Sequence, residues 1–189
     1  AGGFVSSAAT IAAMGARAKE NAAVHAGAVA GACASTVATF IQLAVVISLA
    51  DVGLLRRVAV PLACGGLAAG AYSAVWSWNA AKVGGPPMER GRAFGIWPAL
   101  IFAALVGGVG MLAAAAQTQF GEAAVPVTAA IAGLADAHAT AASAASLHVS
   151  GRVSEAVAVY AVLAAVSTNT VTKAVLAFTS GSRRFAWQV

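Results

Sequence analysis

Charge is what this chain lacks most. Asp, Glu, Lys and Arg make up 9% of its 189 residues, against roughly 25% in a soluble domain that must cover its surface. A water-facing fold has too little polar surface to work with here. Acid is scarcest, and six Asp and Glu in all leave little for catalysis by metals on paired carboxylates. The chain has no HExxH, GxSxG or P-loop string. Gly107-Gly108-x-Gly110 lies within an apolar run with no strand before it, so it reads as helix packing and not as a nucleotide loop. Cys33 and Cys64 sit in apolar runs without CxxC or Cys/His spacing and read as small hydrophobes. No metal, no cofactor and no enzymatic activity are expected.

Apolar residues fill the space that charge leaves, at 60% of the chain. They fall into runs separated by short polar knots, the pattern of membrane-spanning helices. The first run, Gly3 to Ala16, falls short of a bilayer at 1.5 Å per residue and is closed by Arg17, Lys19, Glu20 and Asn21. The second, Ala22 to Ala50, is long enough to span, and carries Gly27 and Gly31 at the spacing that lets helix backbones approach. Asp51, Arg56 and Arg57 mark the next membrane face. The third run extends to about Asn79, with Pro61 in its first turns, a second small-residue pair in Gly66 and Gly70, and Tyr72, Trp76 and Trp78 as an interfacial belt. Lys82 to Arg92, with Gly-Gly-Pro-Pro inside it, is the one long loop.

The fourth run covers Phe94 to Ala116, the fifth Val125 to Leu147 as one helix, and the sixth Ser154 to Thr179, with Ser154 as its N-cap and Glu155 in its first turn. The fold class expected is therefore all-α, a polytopic transmembrane bundle of about six helices. It forms a single membrane domain over residues 1–189, with halves at 1–82 and 93–180 and the loop at 83–92. The net charge of +5 is spread over helix ends and forms no patch, which argues for lipid headgroups and against nucleic acid. Counting Lys and Arg on alternate faces places the Lys82 to Arg92 loop in the cytoplasm. No secretory signal pattern opens the chain.

Gly2 to Thr10, GGFVSSAAT, aligns with Ala132 to Thr140, AGLADAHAT, and Ser35-Thr36 then falls on Ser167-Thr168 after a two-residue shift. Runs one and two would thus recur as five and six, an internal parallel repeat. The strings GGFVSSAAT, WPALIFAAL, GLADAHA and STNTVTKA also resemble the membrane domain of unknown function, DUF family 4010, that is associated with MgtC/SapB-type proteins. The resemblance covers nearly the whole chain in order. It implies an inner-membrane protein of a prokaryote without an established activity, preceded by a further helix. Two positions depart from the family: His138 stands where a second acidic residue usually follows Gly-Leu-Ala-Asp, and Gln42 where the second helix often has Arg.

Chemistry-bearing residues cluster in the last two runs. A charge at the depth of Asp136 costs roughly 2.5–3.5 kcal/mol on insertion scales, so it should face the bundle and find a partner, and Lys173 is the natural one. Lys173 lies deep or snorkels towards Gly181. Asn169 and Lys173, four apart, share a face, and Asp136, Thr140 and Ser143 form a second stripe. His138 is about 200° around from Asp136 on a regular helix, which argues against an Asp-His pair unless Gly133 loosens the backbone.

A polar pathway for an ion or small solute would use Ser6, Ser7, Thr10, Gln42, Asp136, His138, Thr140, Asn169 and Lys173, with Asp136 or His138 carrying protons. The plainer reading is that these groups bond helices together at roughly 0.6 kcal/mol each, and that Ser and Thr bond their own backbone. His25 and His148, near helix ends, read as interfacial. Two functions follow: a small-solute or ion transporter or channel of the inner membrane, or a non-catalytic subunit or regulator whose Gly27, Gly31, Gly66 and Gly70 faces bind a homo-oligomer or partner helices in the bilayer.

Overall fold

The computed structural model describes residues 6–83, 119 and 121–189. Among these, every regular element is helical: α1 (Ser7–Glu20), a 3-10 turn (Ala22–Val24), α2 (His25–Ala50), α3 (Val52–Val83), a second 3-10 turn (Glu122–Ala124), α4 (Val125–Gly133), α5 (Ala137–Val149), α6 (Glu155–Ser180) and α7 (Arg183–Gln188). The run from Phe94 to Ala116, most of the Lys82 to Arg92 loop and the Gly107-Gly108-x-Gly110 string lie outside the described residues.

Short polar side chains set the helix starts. Ser6 caps α1 by accepting from Ala9 N at 3.2 Å, and Ser182 caps α7 by accepting from Phe185 N at 3.2 Å. Each supplies one acceptor to a turn whose first N–H groups have no partner within the helix. Asp51 alone separates α2 from α3: its N–H closes α2 on Ile47 O at 2.7 Å and its Oδ1 takes Leu54 N at 3.0 Å. Because α3 starts at this cap, Pro61 lies in the helix interior and not in its first turns. It removes the backbone bond to the Arg57 carbonyl, a loss of ~3 kcal/mol or more in a soluble helix that membrane helices often tolerate.

The expected fifth helix is two helices. α4 ends at Gly133, Leu134 and Ala135 turn, and α5 begins at Ala137 with Asp136 as its extended cap at φ −155°, ψ 116°. Asp136 has acceptors that suit a helix start better than a helix interior. Ser6 caps α1 with nearly the same backbone, φ −158°, ψ 112°. In each case a threonine hydroxyl four residues on returns to the cap carbonyl, Thr10 to Ser6 O at 2.9 Å and Thr140 to Asp136 O at 2.7 Å.

Among the described residues, three segments are long and apolar enough to cross a membrane: Ala22–Ala50, Val52–Lys82 and Glu155–Ser180. Their outward faces carry large apolar side chains, with Leu49 83%, Leu67 74%, Val60 70% and Tyr160 64% exposed. A soluble monomer does not present so much contiguous apolar surface to water.

The chain divides into two compact units. Unit 1 comprises Ala1–Ile41, Ala63–Ala93 and Lys173–Val189; unit 2 comprises Gln42–Leu62 and Phe94–Thr172. α2, α3 and α6 thus give residues to both. In unit 1, Phe185 of α7 is fully buried in a cluster with Ile11, Val29, Cys33 and Ala177. Gly15 and Gly181 make room for it: a Cβ at Gly181 would meet the Phe185 ring at 2.5 Å, and one at Gly15 would meet the Gly181 backbone at 2.9 Å. α7 follows Gly181, where the sequence reading ended the last helix.

Of the glycines expected to pack helices, a Cβ at Gly31 would meet Met14 at 3.4 Å and one at Gly66 would meet Phe40 at 3.3 Å, whereas one at Gly27 or Gly70 would meet nothing within 4 Å among the described residues. The closer approach in unit 2 is at Gly133, where a Cβ would meet Ala165 Cα and Thr168 Oγ1 at 2.5 Å each. Gly133→Ala is therefore expected to destabilise the fold by about 1–3 kcal/mol through overpacking. The thermal midpoint of the purified protein in detergent reads this, and an unchanged midpoint would show that α4 does not rest on α6 there.

Candidate functional site

The most buried charge among the described residues is Lys173, at 7% exposure on α6 in unit 1. Its ammonium donates to Thr39 Oγ1 of α2 at 2.8 Å. That bond settles its direction: Lys173 turns into unit 1 and does not snorkel. Thr39 in turn donates to Ser35 O at 3.1 Å, one turn back along α2. Ser35 Oγ donates to Ala32 O at 2.7 Å, which leaves Ser7 Oγ of α1 as the donor in the 3.1 Å contact between the two serines. Lys173, Thr39, Ser35 and Ser7 are all buried, and they form a polar line from the ammonium to the α1 start that passes through the Ser35 main chain.

No carboxylate among the described residues balances this charge. Asp51 and Asp136 pair with histidines and Glu155 with Arg57, and Glu20 is exposed at the end of α1. Asp136, expected as the partner of Lys173, belongs to unit 2. Its carboxylate is spent locally: Oδ1 accepts from His138 N at 3.0 Å and from His138 Nδ1 at 2.9 Å, and Oδ2 accepts from Ala139 N at 3.1 Å.

The helix break makes that Asp-His pair. On a continuous helix the two side chains would diverge, but with Asp136 in extended backbone the His138 ring folds back onto its carboxylate. The bond to Asp136 places the neutral ring's proton on Nδ1 and leaves Nε2 as a lone pair. Nε2 is buried and has no hydrogen-bond partner. Among the described residues no group of three or more His, Cys, Asp or Glu is placed to hold a metal ion. The break also frees the Leu134 carbonyl, which Thr172 of α6 satisfies at 2.9 Å.

Most other hydroxyls behave as the plainer reading expects. Ser6 is a helix cap, and Thr10, Thr140, Thr168 and Thr170 return to carbonyls on their own helices. Ser143 is exposed and Gln42 half-buried. Asn169 is buried, one turn before Lys173 on α6. The sequence reading missed Ser35 and Thr39 as site residues. Their signal was present, two hydroxyls four apart within an apolar run, but it resembles any self-bonding pair.

The interfacial histidines both have partners. His25 Nε2 donates to Gln188 Oε1 at 2.7 Å in unit 1. In unit 2, His148 at the end of α5 donates from Nδ1 to Asp51 Oδ2 at 2.5 Å. Arg57 and Glu155 add an exposed ion pair at 2.9 Å, worth ~0.5 kcal/mol. The His148 hydrogen bond, with help from the Leu54 N–H, holds the Asp51 carboxyl below its ordinary value.

A family model described as a domain of unknown function, DUF4010, matches residues 1–181. No curated protein and no solved structure matches the chain.

A depressed carboxyl stabilises the fold above its unfolded pKa of about 3.9 and loses that contribution as pH falls through the lower folded value. Asp51→Asn is expected to flatten the acid limb of stability below about pH 4. It should also cost ~1 kcal/mol at neutral pH through the weakened cap of α3. Thermal midpoints from pH 3 to 7 in detergent check both. An acid limb that is identical in wild type and variant would contradict the Asp51 assignment.

Proposed function

We propose, for a chain that belongs to the DUF4010 family of domains of unknown function, the role of an integral inner-membrane protein of a prokaryote that passes an ion or small solute through its helices. One observation carries this reading: the Lys173 ammonium is buried in a segment apolar enough to cross a membrane, and among the described residues no carboxylate balances it. A charge is a costly way to fasten helices, and in membrane segments such residues mark pathways and binding sites. The Asp136 and His138 pair supplies a proton acceptor in unit 2, which makes the passage proton-coupled. The reading assigns the chain no catalytic chemistry, cofactor or nucleic-acid partner, and it carries the association with MgtC/SapB-type proteins.

The architecture proposed is a multi-pass bundle of about six helices with an internal parallel repeat. The matching caps support the repeat. Laying Gly2 to Thr10 on Ala132 to Thr140 places Ser6 on Asp136 and Thr10 on Thr140; the two caps have nearly the same backbone, each accepts from the N–H three residues on, and each threonine returns to its cap carbonyl. Each copy is a capped short helix followed by a long one, the build of many transport proteins.

A second reading rests on Gly27 and Gly70. Both lie on long apolar helices where an added Cβ would meet nothing within 4 Å among the described residues, which leaves room for the helix of a second copy or of a partner subunit. The mass of the protein in detergent separates the two readings, since a strict monomer removes the homo-oligomeric form of the second.

Flux in proteoliposomes under an imposed pH gradient tests the transport reading. Wild type should carry flux, and Lys173→Ala and Asp136→Asn should each lower it at least about tenfold while remaining folded, the loss expected for one charged hydrogen bond. Wild-type flux at background for common cations, anions and small solutes would contradict it.

A further inference from the structure

The Lys173 ammonium has three N–H donors, and one of them goes to Thr39. Two remain, along with a full positive charge, in a position where lipid offers nothing to receive them. The residues beside it are hydroxyls: Thr39 touches the ammonium, and Ser35 and Ser7 continue the line. The Ser35 and Thr39 hydroxyl protons point to carbonyls inside α2, at Ala32 and Ser35. Those carbonyls also serve the helix's own backbone ladder, so the hydroxyls can rotate away without leaving an acceptor unsatisfied. Ser7 opens α1, a helix of 14 residues, where free N–H groups and the helix dipole favour negative charge.

We infer that the Lys173 site holds a small monovalent anion, a halide or the carboxylate of a small solute, received by the ammonium and the Thr39 hydroxyl beside it. As the substrate class of the proposed passage, this rests on the transport reading; as a binding site, it does not. One cation balances one negative charge, and a second negative charge in so buried a place would go uncompensated. Ser7, Ser35, Thr39 and Lys173 are each exposed by 7% or less, which closes the site to bulky groups.

The test uses the full chain purified in detergent. Its thermal midpoint is titrated with sodium chloride, sodium formate and sodium sulfate, with sodium gluconate holding ionic strength constant. Chloride or formate should stabilise saturably and sulfate should not. Chloride assigns a halide, and formate alone assigns a carboxylate. Lys173→Met and Thr39→Val should weaken the apparent affinity about tenfold or more, while Lys173→Arg, which keeps the charge, should retain binding. Because replacing a buried charge by an apolar chain of similar length is often tolerated, Lys173→Met should still fold, and Thr39→Val reports independently if it does not.

A response that persists unchanged in Lys173→Met and Thr39→Val would overturn the inference. So would stabilisation by sulfate alone, or no anion response in the wild type. Anion binding without flux would leave this site standing and remove the transport reading. Flux without any anion response would do the reverse.

Discussion

A polar group in an apolar bundle has to find its partner inside the protein, because hydrocarbon supplies none. That requirement shapes most of what is distinctive in this chain. Ser6, Asp51, Asp136 and Ser182 each give oxygen to the opening turn of a helix. The carbonyl released where α4 breaks from α5 is taken by Thr172. Threonine after threonine bonds back to its own helix. With so few charges in the chain, its polar chemistry is done mainly by hydroxyls and by Asp and Asn at helix ends.

Lys173 is where that economy stays incomplete. Its hydrogen bond to Thr39 satisfies one donor, and among the described residues no carboxylate balances the charge. Burying an ammonium in this way costs several kcal/mol unless a counter-charge joins it. A protein concerned only with stability gains nothing by keeping it, since an apolar side chain of the same length would pack as well. A site that takes up and releases an anion needs both a permanent cation and the absence of a permanent carboxylate. The Asp136 and His138 pair in unit 2 has the complementary property, a buried ring nitrogen without a hydrogen-bond partner beside a carboxylate already in place.

Much of the helical architecture was legible from composition and run length. The ends of the first, second and sixth runs fell within a few residues of α1, α2 and α6, because polar knots such as Arg17 to Asn21 and the Gly181 turn are strong stops. Two errors have one cause. In sequence Asp136 and Asp51 read as charges to be placed in or beside a membrane, whereas each acts first as a helix cap. Recognising Asp136 as a cap would have broken the fifth run at Gly133 and restored the Asp-His pair that regular helix geometry argued away. Recognising Asp51 as a cap would have put Pro61 inside α3. The Lys173 line was half visible: Ser7 and Lys173 stood out, but Thr39 and Ser35 looked like ordinary hydroxyls, and only the folding of α1 and α6 against α2 identifies them. The fully buried Phe185 in α7 had no sequence signal beyond an aromatic next to two arginines.

The central claim is that Lys173 is a charged group inside unit 1, tied to Thr39. Nitrogen-15 NMR of the Lys173 side chain, in the full protein reconstituted in lipid bilayers at neutral pH, addresses this directly. The account predicts an ammonium resonance protected from exchange with water, and a change in that resonance on Thr39→Val. A neutral amine resonance, or an ammonium exchanging freely with solvent and indifferent to Thr39, would contradict it.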